Sequence, residues 1–470
     1  MSDQAKFVTG STMRHVIVMA ATGSVGLVAV FLVDALNLFY ISLLGQQELA
    51  AAIGYAGTLM FFSISVSIGL SIAATAITSR AIGAGERQRA RQLAAASLFY
   101  TTLIMAVLAT VCFPYLDALV AFMGARGPTA QLAVEFMQIV FPSIPLIGAG
   151  MCMAGLLRAV GDAKRAMYVT LAAGAATAVI DPILIFGLDL GIHGAAISTV
   201  IARLVLIAVG LHGLYRVHNM LAVPAIPVLA STIRPYLYIG LPAIMTQLAT
   251  PVGNAYVTIE IASYGDSAVA GWAVIGRLIP VAFGALFALS GAVGPILGQN
   301  YGALRFDRIY MTMRDSFIVI IVYSLVVWVI LALASDTIAH IFGVEGDAEV
   351  LVVFFCQFVS ISFLFNGMLF VANAAFNNLG YAIISTIFNW GRSTLGVIPF
   401  VWIGSRYYGE IGVLAGYGLG AVFFGIAAAV TCLRIIRKIS ESPPSQPPDE
   451  PGIQVPPAAN SPFTTGKGAT

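Results

Sequence analysis

Twelve stretches of this chain are long and apolar enough to cross a bilayer, and this limits its fold more than any motif does. A helix needs about 20 apolar residues to span the hydrocarbon. Such runs lie at roughly 15–43, 50–77, 94–123, 132–157, 166–187, 193–215, 236–263, 268–297, 316–342, 350–377, 382–404 and 411–433, with short breaks carrying Gly, Asp, Asn or Arg. Lipid offers no hydrogen bonds to backbone, so runs of this length form helices. Only 9% of the 470 residues are charged, against about 25% in an ordinary soluble chain. That excludes the soluble enzymes. The net charge of +2 comes from scattered basic residues, which provide no nucleic-acid face.

Lys and Arg set the expected orientation. Eighteen of the 23 fall on the side of residue 1, only Arg126 and Arg406 on the other, and Arg203, Arg277 and Arg392 within spans. Both termini are therefore expected in the cytoplasm. The polar start MSDQAKFVTGSTMRH and the long run after it read as a first span, not a cleaved leader. The tail over 438–470 holds eight of the 21 prolines and reads as a disordered extension. The four cysteines sit in apolar stretches without C-x-x-C spacing and read as small hydrophobes.

The chain repeats itself at an offset near 219 residues. Asp34, eleven residues before Gly45, lines up with Asn254, eleven before Gly265. Gly83-Ala84-Gly85 with Arg87 and Arg89 lines up with Gly302-Ala303-Leu304 with Arg305 and Arg308; LLRAVG ending at Gly161 matches FNNLG ending at Gly380, and DPILIFG (181–187) matches IPFVWIG (398–404). A period of six spans keeps both copies in one membrane orientation, related by an axis along the membrane normal. The expected fold is an all-α membrane protein of 12 transmembrane helices, built as two six-helix bundles (a 6+6 internal repeat) around a central cavity. Its parts are an N-terminus (1–14), a first bundle (15–217), a linker (218–235), a second bundle (236–437) and the tail. This is transporter architecture.

Charged groups in hydrocarbon are costly and mark function by default. Asp34 lies about 16 Å from the outer end of span 1 at 1.5 Å per residue, near mid-membrane. Asp181 precedes Pro182, which lacks an N–H and disturbs the helix, and Thr199 reaches a similar depth on span 6. Such a carboxylate pair can hold a proton or bind Na⁺. The competing reading gives the carboxylates hydrogen bonds to neighbouring helices and Thr199 a bond to its own helix backbone. Because Asp34's repeat partner is the uncharged Asn254, the bundle shape does not require a carboxylate. In the second bundle Gln247, Asn254, Asn366, Asn373 and Asn377 either line a polar cavity or join helices. Glu260 is expected to reach the outer interface; Arg203, Arg277 and Arg392 have no assignable partner from sequence alone.

The chain resembles the multidrug and toxic compound extrusion (MATE) family over roughly residues 14–437. Asp34 with Gly45, GAGERQRARQ after span 2 with its echo GALRFDR, LLRAVGDAKRAM after span 4, and DPILIFG with GIHGAAIST carry the resemblance. It implies an efflux antiporter exporting organic, often cationic, compounds in exchange for H⁺ or Na⁺. The bacterial branch with acidic residues in the first bundle is the nearest likeness, and its cation-coupling positions match Asp34, Asp181 and Thr199. Thr177 stands where that branch has Asn, and Thr22 where it has Pro. The other branch's acidic positions fall on Thr250 and Met368, so a second-bundle Na⁺ site is not implied.

The expected function is thus a secondary active multidrug exporter of the inner membrane, acting as a monomer on small organic substrates without a cofactor, with Na⁺ at Asp34 and Asp181 as the one metal role considered. A lipid-linked oligosaccharide flippase of the same superfamily is the alternative, and a major-facilitator carrier is less compatible with GAGERQRARQ. An intramembrane enzyme would need a metal or nucleophile cluster, and the five histidines, near span ends, form none.

Overall fold

The computed structural model describes residues 5–42, 47–224 and 226–441; the side chains of Asp34 and a few positions near it lie outside the described residues. So does most of the expected Pro-rich tail, from residue 442 onward. Among the described residues every regular element is a helix, and eleven helices are long and apolar enough to cross a membrane. The side on which the chain starts is called near, and the opposite side far.

In the first half α1 (Thr12–Ser42) runs from near to far and α2 (Gln47–Gly83) returns. The next crossing is α3 (Arg87–Cys112), continued by the short α4 (Leu116–Phe122). α5 (Gly127–Val140) and α6 (Ile144–Val160) make the fourth crossing, broken by a tight turn at Phe141–Ser143. Pro142 explains the break, since it has no N–H for the helix ladder. α7 (Ala163–Pro182) and α8 (Gly191–Leu211) each end in a wide π turn.

The second half repeats the plan with α9 (Ile226–Ala262), α10 (Asp266–Gly302), α11 (Phe306–Leu333), short α12 (Ser335–Ile341), α13 (Asp347–Phe354), α14 (Phe363–Leu379), α15 (Ala382–Ser393) and α16 (Ile398–Glu441). The last apolar stretch, Ala382–Glu441, contains two crossings. It reverses at Gly409, whose φ of 60° and ψ of −144° suit only glycine. A Cβ on Gly412 would lie 1.9 Å from the Gly404 carbonyl oxygen, one on Gly416 2.4 Å from that of Phe400, and one on Gly420 1.5 Å from that of Gly396. These contacts step outward symmetrically from Tyr408, as two antiparallel helices joined by a tight turn must. With that last stretch counted as two, the described residues make twelve crossings, as the sequence predicts.

The outer surface suits lipid. Leu103, Val107 and Val111 are exposed at one-turn spacing along α3, and their repeat partners Val322, Val326 and Ile330 are exposed along α11. Water would penalise such stripes, whereas hydrocarbon accepts them.

Each half has its own hydrophobic core, and the two exchange parts. Val16 and Met19 on α1 and Ala163 on α7 are buried in the second half's core, while Tyr236 and Ile239 on α9 and Ala382 on α15 are buried in the first half's. The repeat pairs Val16 with Tyr236, Met19 with Ile239 and Ala163 with Ala382. The exchange is therefore reciprocal about the pseudo-twofold axis, and it binds the halves at the near side.

Candidate functional site

The near side is sealed by backbone as well as side chains. A Cβ on Gly83 would lie 1.9 Å from the Gln299 carbonyl oxygen, and one on Gly302 2.0 Å from that of Arg80. Arg80 donates to the backbone oxygens of Asn378 (3.1 Å) and Asn377 (3.2 Å) across the halves and lies over the Tyr301 ring. The chain's first described residues close the remaining gap. Phe7 is almost fully buried and its N–H donates to Gln299 Oε1 at 2.9 Å. Lys6 donates to the Gly161 carbonyl; Arg308 donates to those of Phe7, Thr9 and Gly10; and Thr12 donates to Asp315. The polar start of the sequence gave no sign of this plug beyond one isolated Phe7.

Side-chain hydrogen bonds between the halves cluster towards the near side. The deepest involve Tyr236, whose hydroxyl donates to the Leu70 carbonyl (3.2 Å) and pairs with Thr101 (2.8 Å). Gly69 meets Ile244 and Gly23 meets Ala288 at similar depths. Further along the helices, a Cβ on Gly284 of α10 would still lie 3.9 Å from Leu27 of α1.

The predicted coupling residues lie along α1, α7 and α8 of the first half. Asp181 is 1% exposed, and neither carboxylate oxygen has a hydrogen-bond partner among the described residues. It is the last residue before Pro182 and the π turn over Ile183–Gly187. π turns concentrate at functional positions because they re-aim side chains. Buried Ser198 faces it from α8 without hydrogen-bond geometry. Thr177, one turn earlier on the same face of α7, is buried and donates to the Ala173 carbonyl (3.1 Å); Thr199 donates to that of Ala195 (2.9 Å). Both hydroxyls spend their proton on the helix, leaving only lone pairs to face a ligand. The side chain of Asp34 lies outside the described residues, but its backbone position is bracketed. Below it Val33 packs against Gly174, and above it the Tyr40 and Phe186 rings meet edge to face at 6.3 Å. Asp181 falls within the same bracket on α7.

The second-half amides divide. Gln247 is half-buried and Asn254 exposed on α9, whereas Asn366 and Asn373 are buried on α14. Asn377 accepts from Ser385 at 3.1 Å and so joins α14 to α15. Among the described residues no group of three or more His, Cys, Asp or Glu is placed to hold a metal ion.

The MatE family model matches the chain twice, over residues 24–183 and 242–403. The chain belongs to the MATE family of transporters. The two matches coincide with the halves of the internal repeat. A FAD transporter of Shewanella oneidensis is 26% identical over 93% of this chain and 98% of its own length. The multidrug export protein MepA of Staphylococcus aureus is 25% identical over 81% of this chain and 84% of its own. The fold matches the Vibrio cholerae MATE transporter VcmN, at TM-score 0.87 and 24% identity over 91% of this chain and 97% of that one. These likenesses favour a transporter over an enzyme, and an exporter over a flippase.

Within this MATE chain the three span arginines part company. Arg203, 6% exposed on α8, donates to the Val140 carbonyl (3.0 Å) and Ser143 Oγ (2.6 Å), and so braces the break at Pro142. Arg277 is exposed on α10 and pairs with neither Glu260 nor Asp266. Glu260 accepts from Ser405 at 3.3 Å near the far end of α9. Arg392 is buried among neutral groups.

Proposed function

We propose that this protein is a secondary active exporter of organic compounds, driven by inward H⁺ or Na⁺ through alternating access. The observation that carries this reading is the buried carboxylate of Asp181 at a helix break, without a partner among the described residues. An ionised carboxylate in that setting is costly until a proton or cation neutralises it. Asp34 on α1 is the second coupling carboxylate, with Thr177 and Thr199 as neighbouring oxygens. The Lys/Arg bias supports a cytoplasmic near side with both termini there, and the exporter is read as an inner-membrane monomer. In that orientation a molecule sealed at the near side is in its outward-facing state, and substrate passes along a path that Gln247, Asn254, Asn366 and Asn373 border.

Loading of the carboxylates disfavours substrate in the outward-facing state. Substrate leaves, and the bundles 15–217 and 236–437 rock until the near-side seal opens. One charge moving through 100 mV supplies about 2.3 kcal/mol, and one pH unit about 1.4 kcal/mol. Together they sustain a gradient of several hundredfold for one substrate per ion. The substrate range borrows from the relatives, whose names give multidrug export and FAD transport. The test is dye movement in proteoliposomes under an imposed pH gradient, then a Na⁺ gradient, with wild type and Asp34→Asn. Movement under one gradient and its loss in the variant are expected; undiminished coupled transport by Asp34→Asn overturns the scheme.

A further inference from the structure

Arg392 sits at the end of α15 and is 4% exposed. It lies ten residues past Ala382, about 15 Å along the helix, so it is near mid-membrane and out of reach of lipid headgroups. Its Nη2 donates to Thr250 Oγ1 on α9 (3.0 Å) and its Nη1 to Asn366 Oδ1 on α14 (3.3 Å). Nε has no partner, and no carboxylate forms an ion pair with it among the described residues. Glu260, on the same helix as Thr250, is ten residues further on and accepts from Ser405. The guanidinium charge is therefore buried without a counter-charge among the described residues, an arrangement that is costly in proteins unless an anion answers it.

The groups around it are donors in search of an acceptor. Asn366, which accepts from Arg392 Nη1 through Oδ1, has its Nδ2 buried and unpartnered, and so is the Oγ of Ser393, the next residue in the chain. Arg203 in the first half is the contrast, since a carbonyl and a hydroxyl take its Nη1 and it braces a helix break. Arg392 braces none: the carbonyls around the following turn are taken by the backbone N–H groups of Gly396, Val397, Ile398 and Val401. Thr250, through which the cluster meets α9, is only half-buried, so the guanidinium lies one hydroxyl behind accessible surface. The repeat adds a relation of sign. α15 is the counterpart of α7, so the helix that carries the buried carboxylate in one half carries the buried cation in the other.

We propose that Arg392, Asn366, Thr250 and Ser393 form an anion-recognition site for the carboxylate, phosphate or sulfonate group of an organic substrate. This deepens the exporter reading and rests on it for the word substrate, because it names a class with an acidic group. The planar guanidinium offers two parallel N–H donors to such a group, and the amide and hydroxyl complete its shell. The ion that drives transport then loads on the first half while the acidic group of the cargo loads on the second.

The test uses two dyes with one xanthene skeleton and opposite charge, fluorescein (anionic) and rhodamine 6G (cationic). Their binding to the purified full chain is read by fluorescence anisotropy. Arg392→Gln is expected to weaken fluorescein binding by about tenfold or more and leave rhodamine 6G within about twofold, with Arg392→Lys between. Because Arg392→Gln risks misfolding, Asn366→Asp is the second variant. It keeps the arginine and sets a fixed carboxylate beside it, so it should abolish fluorescein binding while raising the melting temperature. Three results overturn the proposal: no fluorescein binding by wild type at millimolar dye, equal loss of both dyes, or unchanged fluorescein binding in both variants. Binding in detergent needs no gradient. Failure of gradient-driven transport with intact fluorescein selectivity thus sinks the exporter reading alone, and the reverse result sinks the anion site alone.

Discussion

Gly83 and Gly302 are repeat partners, and each presses its Cα against the backbone beside the other: Gly83 on the Gln299 carbonyl and Gly302 on that of Arg80. Arg80 and Gln299 are themselves repeat partners, so the contact is isologous within a single chain. Side chains can move aside, but a carbonyl three residues from the end of a transmembrane helix cannot do so cheaply. Gly83→Ala or Gly302→Ala should therefore hold the near side ajar, at an overpacking cost of about 1–3 kcal/mol. The expected result is a longer spin-label distance between the loops after α2 and α10, together with lost efflux at normal surface level. An unchanged distance would mean that the helices slide past one another without cost.

Phe7 predicts a separate contribution to the same seal. Its ring is buried in the second half's core, and Arg308 and Asn300 hold the carbonyls around it. Phe7→Ala should cost the closed near side on the order of 3 kcal/mol, as for other buried aromatics. Faster hydrogen exchange at Gln299 and Asn300 would register this, with the far-side helices unaffected. Uniform acceleration through both halves would point to general destabilisation instead.

Thr177 and Thr199 separate the two candidate ions. Each hydroxyl gives its proton to a carbonyl one turn back, so neither can relay protons without breaking that bond, yet both can offer lone pairs to Na⁺. Thr177→Val and Thr199→Val should leave pH-driven dye transport within about threefold of wild type and cut Na⁺-driven transport by about tenfold, or roughly 1.4 kcal/mol. Loss of pH-driven transport in both would place the hydroxyls in a proton path and contradict this account.

Much of this architecture was legible because lipid makes the code simple. Span lengths, the 6+6 repeat and Asp181 ahead of Pro182 all follow from what hydrocarbon tolerates. The sequence also pointed to Gly83 and Gly302 as partners, although not to their contact with each other's flanking carbonyls, which depends on how the halves cross. The reciprocal exchange of Met19 and Ile239 was hidden for the same reason. Both are apolar residues in apolar runs, and periodicity does not tell which core receives them. The Phe7 plug was missed because one aromatic in a polar start carries no pattern. Arg203 and Arg392 looked alike in sequence, and only their partners tell them apart.

Asp162 makes a prediction about pH. It caps α7 through the Arg165 N–H (3.0 Å) and pairs with His218 Nε2 at 2.7 Å and with the Arg165 guanidinium, tying the loop after α6 to the chain between the halves. Burial alone would raise its carboxyl, but the His218 bond and the two Arg165 bonds outweigh that and hold it below the usual carboxylate range. A lowered folded-state value stabilises fully above the unfolded value of about 4 and fades only as pH falls through the lower, folded one. The carboxylate's contribution to the melting temperature should thus be flat from neutral pH down to about 5 and lost in stronger acid. Asp162→Asn should lower the plateau and flatten the acid limb. A carboxylate-dependent fall already between pH 7 and 6 would contradict the assignment.

Arg203 closes the argument as the structural counterpart of Arg392. It spends Nη1 on the Val140 carbonyl and Ser143 hydroxyl beside Pro142, where the helix ladder is interrupted. Removing it strands a buried carbonyl environment that the bilayer cannot hydrate, at about 1–3 kcal/mol. Arg203→Met, which keeps the apolar stem, should lower the melting temperature by several degrees. Transport per folded molecule, its pH dependence and the ratio of anionic to cationic dye binding should all stay as in wild type. A changed dye ratio would make Arg203 part of the substrate path, and the contrast between the two arginines would fail.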